Sequence, residues 1–297
     1  MNVLNDYYTL ANGIKIPKIG LGTWMIDDNK VADVIVNAVN EGYRHFDTAQ
    51  GYGNERGVGE GIRICGVPRE ELFVTTKLEA GIKDYKEASC AINVSLEKAG
   101  LEFFDLMIIH SPQPWTDFRE GEHFFEGNLA AWKALEDAYN GGKIRAIGVS
   151  NFERPDLDNL IDNGSVKPMV NQILSHIGNT PTDLIRYSQS LDILVEAYSP
   201  VAHGKIFSKP ELKALADKYG VTIAQLCIRY CLQLGMLPLP KTVTPVWMRE
   251  NAAVDFEIAV SDMDLLVHAE TFSDYGDAAI FPVYGGKLLP DGTCVAR

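Results

Sequence analysis

At 297 residues, 46% hydrophobic and 23% charged, the chain has enough apolar material for a large core, and its length suits one α/β barrel as well as two ordinary domains. A formal net charge of -13 and the absence of any Lys/Arg-rich block work against binding a polyanion, so no nucleic-acid partner is expected. The opening Met1-Asn2-Val3-Leu4-Asn5-Asp6 lacks a basic-then-apolar pattern, and no apolar stretch approaches the roughly 20 residues of a membrane span, so a cytoplasmic protein without membrane association is expected. Cys65, Cys90, Cys227, Cys231 and Cys294 lack C-x-x-C spacing, which suggests neither a disulfide framework nor a metal site; Cys227 and Cys231, four apart on one helical face, read as core.

Residues 7–17 form two short extended runs around Asn12-Gly13, a typical two-residue hairpin turn, and read as a cap outside the main repeat. From Ile19 onward, strand-like runs alternate with amphipathic stretches. The first strand precedes a helix over Lys30 to Glu41. Tyr43 to Phe46 precedes Glu55 to Cys65, Leu72 to Thr76 precedes Tyr85 to Ala99, and Leu106 to Ile109 precedes Leu129 to Asn140. Further strands are predicted at Ala146 to Val149, Met169 to Ile173, Ile193 to Ala197 and Met236 to Leu239. The accompanying helices fall at Pro155 to Asn163, Thr182 to Ser190, Glu211 to Tyr219 and Ile223 to Leu234. This βα rhythm predicts a single (β/α)8 TIM barrel with an N-terminal β-hairpin cap, one domain over residues 1–297. An open doubly wound sheet is the rival. Against it, the one run resembling a dinucleotide fingerprint, Gly57-Val58-Gly59-Glu60-Gly61, falls inside a helical pattern instead of a strand-to-helix turn.

Two segments break the rhythm. Ser111 to Gly127 carries Trp115, Phe118, Phe124 and Phe125, too heavy an aromatic load for a simple turn, and long loops at this face of a barrel usually belong to its site. The tail from Thr271 to Arg297 is rich in glycine, proline and aromatics; it is either a loosely packed terminus or a flap over the barrel mouth.

Asp47, Tyr52, Lys77 and His110 each stand at or just beyond the end of a strand-like run, and a parallel barrel brings such ends to one face. An acid, a phenol, an amine and an imidazole gathered there suit proton donation to a carbonyl. An ammonium lowers a phenol's pKa, a carboxylate holds the ammonium, and an imidazole can orient or share the proton. Taken singly, each has a plain structural reading: helix cap, packed aromatic, buried ion-pair partner and core histidine.

Gly42-Tyr43-Arg44-His45-Phe46-Asp47-Thr48-Ala49, followed by Tyr52-Gly53-Asn54-Glu55, closely resembles the aldo-keto reductases. The resemblance continues in order through Gly20-Leu21-Gly22-Thr23-Trp24, Thr76-Lys77, Asp105 to His110, Gly148-Val149-Ser150-Asn151-Phe152, Asn171-Gln172, Ala197-Tyr198-Ser199-Pro200 and Pro240-Lys241-Thr242. It is nearest to bacterial diketogulonate-reductase-like members. The resemblance implies a barrel that reduces a small-molecule carbonyl with NADPH or NADH and works as a monomer. It also implies Tyr52 as proton donor, Lys77 as the cation beside it, Asp47 as the partner of Lys77, and His110 as the group that orients the carbonyl. Tyr198 would stack on the nicotinamide, and Ser150, Asn151 and Gln172 would hold its amide. Ser199, Val201 and Gly204 would approach the pyrophosphate, while Lys241, Thr242 and Asn251 would hold the adenosine end. Only nine residues separate Pro200 from Pro210, too few for a long clamp over the cofactor.

Two positions depart from the family pattern. Trp247 stands where NADPH-preferring members carry an Arg for the 2′-phosphate, which weakens phosphate recognition unless Arg249 reaches in from a shifted register. His110 is followed by Ser111-Pro112 instead of a bulky Trp, so the wall there should be roomier and more polar unless Trp115 swings in. Trp24, Trp115 and Phe118 would line an apolar substrate pocket suited to small aldehydes, α-keto compounds or sugar-derived ketones. The alternatives are a cofactor-binding regulatory barrel with little turnover, or a Schiff-base lyase with Lys77 as nucleophile; pairing with Asp47 keeps that amine protonated and disfavours the second.

Overall fold

The Asn12-Gly13 dipeptide turns the chain in a computed structural model that describes residues 3–296. Strands β1 (Tyr7–Thr9) and β2 (Lys15–Pro17) pair antiparallel, Gly13 takes φ +84°, and the Asn12 amide donates to the Arg145 carbonyl at 2.9 Å, pinning the hairpin to the barrel.

Eight parallel strands follow: β3 (Leu21–Gly22), β4 (His45–Asp47), β5 (Phe73–Leu78), β6 (Phe104–Ile109), β7 (Ile144–Ser150), β8 (Val170–Leu174), β9 (Leu194–Tyr198) and β10 (Leu237–Leu239). Each pairs with the next in chain order. The ring is completed between the outermost strands, where Gly20 N–H donates to Pro238 O at 3.2 Å and Gly22 N–H to Pro240 O at 3.1 Å. A side chain at Gly20 would obstruct that closure, because its Cβ would lie 2.6 Å from both His45 Nδ1 and Leu239 Cδ2. Every residue of β5 and β6 is buried, as expected for strands covered by helices outside and packed side chains within.

The helices are α1 (Val31–Asn40), α2 (Glu55–Ile64), α3 (Tyr85–Ala99), α4 (Phe125–Asn140), α5 (Arg154–Asn163), α6 (Thr182–Ser190), α7 (Pro210–Tyr219), α8 (Ile223–Gln233), α9 (Pro245–Ala252) and α10 (Val260–Val267). Both α7 and α8 lie between β9 and β10, so α7 is an addition to the eight-fold repeat. The helix that follows β10 is α9, which pattern reading leaves unassigned. Its Val246 and Trp247 are exposed while Met248, Asn251 and Ala252 are buried, a polarity that blurs the usual helical stripe; Pro245 at its first turn is the remaining signal. The tail lies against the barrel mouth: Phe281 and Tyr284 line the central cavity, and β11 (Lys287–Leu288) pairs antiparallel with β12 (Cys294–Val295).

The glycines of α2 serve packing. A Cβ on Gly57 would stand 2.0 Å from Asp28 O and one on Gly61 2.7 Å from Ile35 Cβ, while one on Gly59 would stand 1.7 Å from Ala99 O, so neighbouring segments press on two sides of the helix. Replacing Gly59 must push α2 away from the end of α3. Gly59→Ala is therefore expected to lower unfolding free energy by about 1–3 kcal/mol or more, the usual range for overpacking. Gly81→Ala, where a Cβ meets nothing within 4 Å, should stay within about 0.5 kcal/mol of wild type. Urea denaturation of the two variants checks the difference, and equal midpoints would refute it.

Candidate active site

The C-terminal ends of the strands open into a cavity of about 1220 Å³. Asp47 closes β4, Lys77 lies in β5, His110 follows β6, and Tyr52 stands on a short 3₁₀ turn after β4. That turn is held from below. Asn54 accepts from Thr48 Oγ1 at 2.7 Å and donates to Thr23 O and Ile26 O at 2.9 and 3.0 Å, while buried Glu55 accepts from Thr76 Oγ1 at 2.6 Å and Ser95 Oγ at 3.2 Å. Neither residue stands out in the sequence except by following Tyr52.

Lys77 is 1% exposed, and its ammonium donates to three acceptors: Asp47 Oδ1 at 2.5 Å, Thr48 O at 2.9 Å and Tyr52 Oη at 3.1 Å. An ammonium has three protons and no lone pair, so this set satisfies it completely. Tyr52 Oη is thus an acceptor from Lys77, and its own proton remains available to the cavity that its ring lines. Burial pushes the Tyr52 phenol well above its usual range and the Asp47 charge adds to this. Lowering of that pKa by Lys77, expected from the sequence, is not what prevails: the ammonium is shared with Asp47 and Thr48, and the phenol stays protonated. Burial likewise lowers the Lys77 ammonium, against the Asp47 and Glu196 charges, and holds His110 well below its usual range with the Lys77 charge as the second cause. His110 is therefore a neutral imidazole.

A second bridge leads away from Asp47. The Gln172 amide donates to Asp47 Oδ2 at 2.9 Å and to Glu196 Oε2 at 2.8 Å, joining β4, β8 and β9. Nearby, Ser150 Oγ donates to Gln172 O at 2.8 Å, and Asn151 donates to His110 O at 3.1 Å and Ser150 Oγ at 3.0 Å. Tyr198 Oη donates to Asn151 Oδ1 at 2.8 Å. Asn151 has φ +62°, a left-handed conformation that Asn tolerates better than most residues, and this turns the chain off β7 into the cavity.

Ser199, Val201 and Gly204 line the next stretch of wall, where Ser199 Oγ lies 2.7 Å from Tyr284 Oη of the tail. Beyond them come Lys241, Thr242, Trp247 and Asn251, joined by Lys213 of α7. Arg249 does not join them. Its guanidinium binds both carboxylate oxygens of Glu41, Nε at 2.9 Å and Nη2 at 2.7 Å, and does not line the cavity. At the wall beside His110, Trp115 packs edge-on to the imidazole with ring centroids 5.0 Å apart, which is the alternative in which Trp115 swings in next to the His110-Ser111-Pro112 run. Phe118 is buried behind Trp115, 5.5 Å between centroids, and does not face the cavity. Trp24 does, backed by Phe281 at 5.0 Å.

The arrangement has counterparts. The family model for the aldo/keto reductase family matches residues 18–269. Glyoxal reductase of Bacillus subtilis is 38% identical over 263 residues, 88% of this chain and 91% of that protein. Methylglyoxal reductase DkgA of Escherichia coli O157:H7 is 39% identical over 252 residues, 84% of this chain and 88% of that protein. A crystal structure of a Bombyx mori aldo-keto reductase in complex with NADP superposes with a TM-score of 0.79 at 33% identity, covering 88% of this chain and 92% of that one. The chain belongs to the aldo/keto reductase family. It is an NAD(P)H-dependent oxidoreductase of the carbonyl-reducing kind.

Glu196 is one site residue that motif reading passes over, although a lone acid inside Leu194-Val195-Glu196-Ala197-Tyr198 is a signal in itself. It is fully buried, Oε1 has no partner among the described residues, and burial followed by the Asp47 charge raises its pKa from 4.5 to about 8. An acid raised on folding contributes its full stability below the unfolded value near 4.5 and loses it progressively up to about pH 8. Glu196→Gln keeps an acceptor for Gln172 and cannot ionise. Its stability advantage over wild type should grow by up to a few kcal/mol between about pH 4.5 and 8 and level off above. Urea titrations across that range test this, and a pH-independent difference would contradict it.

Proposed function

We propose that Tyr52 is the proton donor in reduction of small aldehydes, dicarbonyls or sugar-derived ketones. The observation that carries this reading is that Tyr52 Oη accepts from Lys77 at 3.1 Å while its own proton is left to the cavity. As a carbonyl oxygen gains charge, the phenol gives up its proton and the ammonium stabilises the resulting phenolate. Asp47 keeps Lys77 charged and in place. The neutral His110 imidazole orients the carbonyl, and Trp24 and Trp115 supply apolar walls. The glyoxal and methylglyoxal reductases among the relatives support small carbonyl compounds as substrates.

The donor set fits a nicotinamide dinucleotide. Ser150, Asn151 and Gln172 would hold the carboxamide against the Tyr198 ring, Ser199, Val201 and Gly204 the pyrophosphate, and Lys241, Thr242 and Asn251 the adenosine end. When bound, the reduced nicotinamide supplies the hydride. NADPH is the proposed cofactor, supported by the NADP-bound relative, with NADH tolerated because Trp247 lies at the adenosine end and Arg249 is committed to Glu41. A monomeric, cytoplasmic enzyme completes the reading. All five cysteines are free, which supports a reducing compartment, and the whole tetrad comes from one chain. Among the described residues no helix is long and apolar enough to cross a membrane.

Tyr52→Phe should lower kcat for aldehyde reduction by ~10²–10⁴ while leaving the NADPH dissociation constant nearly unchanged. Retention of more than about a tenth of wild-type kcat would remove the proton-donor assignment. For the cofactor, Trp247→Arg is expected to tighten NADPH about tenfold or more without a comparable gain for NADH, since a charge-assisted bond contributes ~1.5–3 kcal/mol. Fluorescence titration with both cofactors reads this directly; equal gains for the two would exclude 2′-phosphate recognition at that position.

A further inference from the structure

Glu79 follows the last residue of β5, two positions beyond Lys77, so the strand's alternation carries both side chains to the inner side of the barrel. Lys77 is buried beneath the cavity floor, whereas half-buried Glu79 lines the cavity itself together with Gly51, Tyr52, His110 and Trp115. Its position is built. The Glu79 N–H donates to Gln50 Oε1 at 2.8 Å, and the Gln50 amide is anchored to Ala91 O at 3.1 Å and Ser95 Oγ at 2.9 Å. Burial raises the Glu79 pKa above the usual carboxylate value, and against this the carboxylate accepts from the Ala80 backbone and from the Trp115 side chain, both of which favour its charged form. Gly51 leaves it room, since a Cβ there would lie 2.7 Å from Oε2.

No cation closes an ion pair with Glu79 among the described residues. Lys83, the nearest basic influence, does not line the cavity; its ammonium donates to Ser111 O at 2.9 Å and Asn128 Oδ1 at 2.7 Å. The lysines that do line the cavity, Lys213 and Lys241, stand on α7 and after β10. The wall beside Tyr52 and His110 thus carries one acid with no cation of its own.

We propose that Glu79 sets the charge of the accepted substrate: the pocket takes neutral carbonyl compounds and rejects carbonyl compounds that carry a carboxylate, such as keto acids. This rests on the reductase reading and narrows it. A substrate carbonyl held at Tyr52 and His110 brings its neighbouring substituent against the Glu79–Trp115 wall, where water is partly excluded and like charges repel strongly. A neutral hydroxyl, amide or second carbonyl meets no such penalty and can hydrogen-bond there. The expected discrimination is roughly ten- to a hundredfold at low ionic strength.

The test uses the NADPH-bound enzyme and two aldehydes matched in shape, 4-carbamoylbenzaldehyde and 4-carboxybenzaldehyde. Wild type should show a kcat/KM at least about tenfold higher for the amide, and that ratio should shrink as added salt screens the repulsion. In Glu79→Gln, which keeps an acceptor for the Trp115 indole, the ratio should fall at least about fivefold and lose most of its salt dependence. Equal kcat/KM values in wild type, or a ratio untouched by both salt and Glu79→Gln, would overturn the proposal while leaving carbonyl reduction standing. Turnover of neither aldehyde would instead count against the reductase reading. Calorimetric titration of benzamide and benzoate into the same NADPH complex then decides the charge question independently. Benzoate should bind more weakly than benzamide, by a margin that narrows in Glu79→Gln; a benzoate affinity equal to or above that of benzamide in wild type would reject the role of Glu79.

Discussion

The constraint on which the rest of this molecule depends is the buried ammonium of Lys77. Removing a charge from water is tolerated only if a counter-charge and enough acceptors are already in place. Asp47, the Thr48 carbonyl and Tyr52 meet that demand from a neighbouring strand and the turn after it. Because the ammonium is donor-only, it dictates the direction of the hydrogen bond to Tyr52 and so leaves the phenolic proton outward. The second demand falls on Asp47, whose other oxygen is occupied by Gln172, itself held by Glu196. One buried cation therefore organises side chains from β4, β5, β8 and β9. Rigid strands, and not loops, carry most of them, which is how a proton donor stays in register with an acceptor that arrives from solvent.

A different economy operates at the rim. Ser199, Ala202 and His203 all adopt left-handed backbone conformations, with φ of +52°, +44° and +54°, although none is glycine. Such strain persists where surroundings over-determine it. Here the Tyr284 hydroxyl meets Ser199, and the His203 ring packs edge-on to Tyr284 at 4.8 Å and to Trp24 at 5.7 Å. The C-terminal tail thus braces the short segment after β9 and at the same time finishes the apolar wall opposite Trp115. Substrate wall and proposed pyrophosphate segment share these contacts, so changes in the tail are felt in both.

The sequence by itself determined the order of the barrel strands, the hairpin around Asn12-Gly13, the helices that carry a clean apolar stripe, and the four polar residues delivered to one face. These are local properties: alternation, periodicity, turn chemistry and the rule that parallel strand ends converge. The helical run α9 escaped because its exposed face includes Val246 and Trp247, so its polarity follows the neighbouring cavity instead of solvent. Glycines 57, 59 and 61 were recognisable as helical, but the backbones they make room for come from distant segments. What only the tertiary structure decided are the matters of direction and partnership. Trp115 turns inward onto His110 while Phe118 turns away, Arg249 spends its guanidinium on Glu41 across 208 positions, and Glu196 and Glu79 take opposite places beneath and within the cavity. A residue's type sets what it can bond, but which acceptor lies within 3 Å of it depends on elements far apart in the chain, and that distance is fixed only when the barrel closes.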